Sequence, residues 1–183
     1  MPLFVSQSWQ QSCQIIERTL GLKHSNITHL AFHCAATFFR PQHQLSPVNV
    51  HKLGSVMKAV MAAADHACFG SSNTEGAEVT FVVHKVMDIV VAASRLLAED
   101  RNLCGNEAEV VKEFKDSLQC LISKIVLPWV KVNWWCLKDH VILEKFLSVV
   151  NVQLRHGTAP FESRDLIASG VPWKVISFLS LPR

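Results

Sequence analysis

Four lysines recur at seven-residue steps, Lys124, Lys131, Lys138 and Lys145. On an unbroken helix such a step returns almost to the same line, so the ammonium groups would form one edge, as contact with a phosphate backbone requires. Pro128 interrupts that line. Lys138 and Lys145 would then share one line of a single helix, and a plain solvated face would give the same pattern. Among these lysines stand three indoles, Trp129, Trp134 and Trp135. Adjacent Trp134 and Trp135 point about 100° apart on a helix, so both cannot enter one narrow core stripe. One indole belongs in the core, and another either covers the helix break or anchors in a partner's pocket, where Trp is over-represented among energetic hot spots.

Other chemistry is poorly supplied. His29 and His33 are four residues apart on an expected helix, but no acidic residue or cysteine at helical reach completes the three or four ligands zinc requires. Cys34 points to a different face. The chain has no G-x-S-x-G, C-x-x-C, H-E-x-x-H or P-loop pattern, and His33-Cys34 and Cys136 with His140 are neighbours by helical spacing alone. The expectation is a non-catalytic protein with no metal and no cofactor.

Composition narrows the class further. The 183 residues suit one domain, 1–183, large enough to bury a core without disulfide or metal. Apolar residues make up 49% and charged residues only 18%, so the surface is short of charge and leaves apolar area for a partner. The net charge of +3 is spread along the chain, which disfavours a polyanion as main ligand. Six cysteines without a C-x-x-C pair read as reduced core thiols of an intracellular protein, nuclear or cytoplasmic. The N-terminus lacks a basic n-region, and the most apolar window, 79–98, contains His84, Lys85, Asp88 and Arg95, so no signal peptide or membrane span is expected. The sequon Asn26-Ile27-Thr28 reads as a helix cap.

Apolar spacing predicts the elements that carry these residues. Trp9, Cys13, Ile16 and Leu20 stripe a first helix that Gly21 closes; Ile27, Leu30, Cys34, Ala35 and Phe38 stripe a second that ends at Arg40-Pro41. Ser46-Pro47 starts a third, with Val50, Leu53, Met57, Val60, Met61, Ala64 and Cys68 inside, and Gly54 weakening it by about 1 kcal/mol. A glycine-, serine- and asparagine-rich run makes a sub-boundary near 69–76. The fourth helix, about 74–98, has an apolar arc wide enough to predict a central position. Asn106-x-x-Glu109 opens a fifth, with Phe114, Leu118, Leu121 and Ile125 inside, and Pro128 breaks or kinks it. A sixth rises through Leu137, Val141, Glu144, Leu147, Val150 and Leu154.

The last stretch, Ser163 to Leu181, holds a short helical turn, a stop at Gly170, Pro172 at a helix start, and Val175, Ile176 and Leu179 on one face. This run, D-L-I-A-S-G-V-P followed by an amphipathic helix, resembles the corner between the second and third helices of an armadillo repeat. The resemblance implies an all-α fold of about eight helices in degenerate armadillo- or HEAT-like repeats. It also implies a scaffold whose partners are other proteins, with nucleic acid as the alternative through the lysine edge. Helix texture and run length resemble the large armadillo-type meiosis-inhibitor family, which implies a nuclear role in meiotic double-strand break formation. Trp173 and Phe178 leave apolar area on more than one side of the last helix, so the chain is expected to be a segment or splice form of a longer solenoid, or capped by a partner there.

Overall fold

The computed structural model describes residues 2–22, 25–39, 47–69, 76–99, 109–156, 170 and 173. Every regular element among them is helical, as the periodicity predicts. The order is α1 (Pro2–Gly21), α2 (Ser25–Phe38), α3 (Pro47–Phe69), α4 (Gly76–Glu99), α5 (Glu109–Leu121), a π-helical segment (Ile122–Val126), α6 (Leu127–Val132), a 3-10 turn (Trp134–Lys138) and α7 (His140–His156). Because α5, the π segment and α6 follow without a gap, the described residues form six rods against about eight expected. The other two expected helices, at 163–181, lie outside the described residues except for Gly170 and Trp173. Gly170 is left-handed at φ +70°, a conformation that favours glycine. The sub-boundary near 69–76 falls mainly on residues outside the description.

Packing follows a simple order. α1 lies on α3 and α3 on α5, while α2 lies on α4 and α4 on α7; α1–α2 and α3–α4 close each hairpin across the two rows. α4 is central, touching α2, α3, α5, the π segment and α7, because its buried Val82, Val83, Val86, Met87, Ile89, Val90, Ala93, Leu96 and Leu97 wrap more than one side. One continuous core results, and it runs from Cys13 to Val149.

Two expected faces are turned. In α2 the core takes Ala31, Phe32, Ala35, Ala36 and Phe39, while Ile27, Leu30 and Cys34 are exposed. The alanines allow close approach and the two phenylalanines fill the space, so burial follows fit and not the count of large aliphatics. In α7 the inner stripe is Ile142, Phe146, Val149, Val152 and Gln153, and the predicted Val141 and Leu147 are exposed. That helix carries two apolar stripes, and its start decides which one faces in. Asp139 is extended at ψ 120° and its carboxylate Oδ1 accepts the Val141 N–H at 2.8 Å, so α7 begins at His140 and not at Leu137.

Pro128 does not end its helix. It cannot donate to the carbonyl four residues back, and its ring crowds that carbonyl. The chain answers with a wider turn upstream, in which the Leu127 N–H reaches back to the Ile122 carbonyl, and the rod then continues to Val132.

Gly54 sits within α3, and beyond its chain neighbours and its own helix backbone no atom lies within 4 Å of where a Cβ would stand. Gly54→Ala should therefore stabilise the protein by about 0.5–1 kcal/mol, read as a rise in urea midpoint at unchanged m-value. A fall in midpoint would mean that the α3 backbone needs the glycine.

Candidate surface at the indole turn

The turn between α6 and α7 is locked by its own hydrogen bonds. Asn133 donates twice to the Trp129 carbonyl, through its backbone N–H at 2.8 Å and its side-chain Nδ2 at 3.1 Å. The Cys136 N–H then donates to the Asn133 carbonyl at 2.9 Å, and the Asp139 N–H to the Cys136 carbonyl at 3.0 Å. With Asp139 capping α7, the exit from one helix and the entry to the next are both fixed.

This geometry separates the three indoles. Trp129 is 7% exposed and belongs to the core, so it is withdrawn from the partner-facing candidates. In a 3-10 turn side chains three residues apart eclipse. Trp134 therefore shares a face with Leu137, which is buried, and is 40% exposed; Trp135 shares the outward face with Lys138 and is 50% exposed. Val132, 65% exposed at the end of α6, adds an aliphatic surface three residues before Trp135. Trp173 is also well exposed, and Phe178 lies outside the described residues.

The four lysines are not one edge. They sit on four successive elements: Lys124 on the π segment, Lys131 on α6, Lys138 on the 3-10 turn and Lys145 on α7. The wide π turn, Asn133 and extended Asp139 each reset the phase, so a constant sequence step gives no constant direction. Lys138 and Lys145 consequently do not share one helix. Lys145 is half-buried and donates to Asp88 of α4, which also faces Lys85 at 3.7 Å. Its charge ties α7 to α4. Lys124 and Lys138 are exposed and make no ion pair among the described residues.

A concavity of about 750 Å³ crosses the row α2–α4–α7 and is lined by His33, Lys85, Asp88, Arg95, Glu144 and Lys145 among others. Both signs of charge are mixed there, and within the Lys85–Asp88–Lys145 cluster two ammonium groups share one carboxylate. Deeper between α4 and α7, Gln153 Nε2 donates to Ser94 Oγ at 2.8 Å in a buried pair that fixes the register of the two helices.

His29 stacks on Phe81 with ring centroids 4.2 Å apart, and its Nε2 is 3.9 Å from Glu78 Oε1, while His33 lines the groove. Among the described residues no group of three or more His, Cys, Asp or Glu side chains converges as metal ligands would. The five described cysteines are free thiols, and burial pushes Cys13 up to about 12 and Cys68 up to about 11. Among the described residues no helix is long and apolar enough to cross a membrane.

His84 is held below the ordinary histidine range, first by burial and then by the Lys145 and Lys85 ammonium groups, against the pull of Asp139 and Asp88. Its Nε2 is buried without a hydrogen-bond partner. A histidine with a lowered folded pKa imposes no penalty above the unfolded value of about 6.5 and costs stability as pH falls below it, because the unfolded chain takes the proton more readily. Urea midpoints measured from pH 7.5 down to 5 should fall more steeply for the wild type than for His84→Leu. Parallel slopes would show that His84 titrates freely in the fold.

No protein-family model matches this chain, and no curated protein or solved structure is significantly similar to it.

Proposed function

We propose that this chain is a non-catalytic α-solenoid scaffold that binds another protein through the indole turn. The order α1–α3–α5 beside α2–α4–α7 supports the solenoid reading, since stacked hairpins contact only their neighbours. The single observation that carries the binding reading is an exposed Trp135, with exposed Val132 three residues before it, on a turn whose backbone is already fixed. A large apolar side chain kept in water by a rigid frame loses little entropy on docking, and this is how an interface anchor gains affinity. The nuclear, meiotic setting implied by the family resemblance indicates where to seek the partner.

The test is affinity capture from a nuclear extract of meiotic cells with wild type and Trp135→Ala in parallel, with nuclease added and at two salt concentrations. The scaffold reading expects a discrete protein that resists nuclease and moderate salt and is lost with Trp135→Ala. Nucleic acid as the ligand would instead make capture nuclease-sensitive and steeply salt-dependent. The same proteins bound equally by Trp135→Ala would contradict the role given to the turn.

A further inference from the structure

We infer that the partner surface received by the indole turn is acidic as well as apolar: an apolar side chain that meets Trp135 and Val132, with carboxylates beside it. The inference rests on the protein-binding reading above and adds the partner's chemistry. From residue 117 to residue 138 the chain contains Lys124, Lys131 and Lys138 and no aspartate or glutamate, so within this run the sequence supplies only positive charge. The nearest carboxylates in sequence are Asp116, before this run, and Asp139, which caps α7 through its Oδ1. Lys138 matters most. The three-residue period of the 3-10 turn puts its ammonium group on the same face as the Trp135 ring, and it has no ion pair among the described residues. A partner carboxylate would thus meet a cation at the rim of the indole contact, where charge complementarity selects the partner and speeds encounter.

A polyphosphate fits less well. Phosphate tracking needs a row of cations, and the lysines of this region lie on separate elements, with Lys145 engaged by Asp88. A lipid surface fits less well too, because the patch is a five-residue turn and not a long amphipathic helix face.

The experiment uses the full chain and fluorescence anisotropy with labelled probes: a peptide of glutamate, leucine and phenylalanine, the same peptide with lysine in place of each glutamate, oligothymidylate, and phosphatidylcholine–phosphatidylserine vesicles. The inference expects the glutamate peptide to bind about tenfold more tightly than the lysine peptide. It also expects Trp135→Ala to weaken that binding about tenfold, Trp135→Phe to restore much of it, and Lys138→Glu to reverse the charge preference. Thermal melts superimposable on wild type ensure that the variants are folded. Equal binding of the two peptides, tighter binding of oligothymidylate or vesicles, or no binding of any probe would overturn the inference. The scaffold reading stands or falls separately, on whether capture of a cellular protein requires Trp135.

Discussion

Phe114→Ala should destabilise this protein by about 3–5 kcal/mol, a large part of the whole stability of a domain of this size. Phe114 is fully buried on α5, and its ring stacks on Phe39 with centroids 6.0 Å apart. Phe39 in turn meets Phe38 edge-on at 5.6 Å, and its N–H is held by the Ala35 carbonyl at the end of α2. Truncation would therefore remove one ring from a contact joining the two rows of helices and leave a cavity that rigid neighbours on several helices cannot collapse to fill. Urea denaturation followed by circular dichroism reads the effect, and a cost below about 1 kcal/mol would mean that the two rows do not pack as described.

The second large effect is a contrast between neighbours. Phe146→Ala should cost about 3–5 kcal/mol and Leu147→Ala less than about 1 kcal/mol, although sequence spacing had placed Leu147 and not Phe146 on the inner stripe. Phe146 is buried among the core residues, whereas Leu147 lies on the outer side of α7, where Leu143 and Val150 border a second shallow concavity. A similar cost for both variants would show that the outer stripe is covered. A reversed order would return α7 to the phase expected from a start at Leu137.

Much of the fold was legible because helix existence depends on periodicity, and the long patterns of α1, α3 and α4 are unambiguous. Cys13, Ile16 and Leu20, then Leu53, Met57 and Val60, then Val82 to Leu97, are buried as spaced. The faces of α2 and α7 were not legible, since each offers two apolar stripes and the choice between them is made by fit and by a capping aspartate. Whether Pro128 breaks or only kinks its helix was not legible either, because it is the π turn upstream that lets the rod continue. At the site, the residue types were readable and their arrangement was not. That Trp135 and Lys138 share a face depends on the turn being 3-10, and the diversion of Lys145 to Asp88 depends on a partner 57 positions earlier.

The central claim, that Trp135 is the point at which a protein partner docks, is tested most directly by placing the photo-crosslinker p-benzoylphenylalanine at position 135, with exposed Lys112 on α5 as the control site. Irradiation in cells, followed by nuclease treatment, should give one discrete protein adduct from position 135 and none from position 112. No adduct at 135, or the same adducts from both sites, would contradict it.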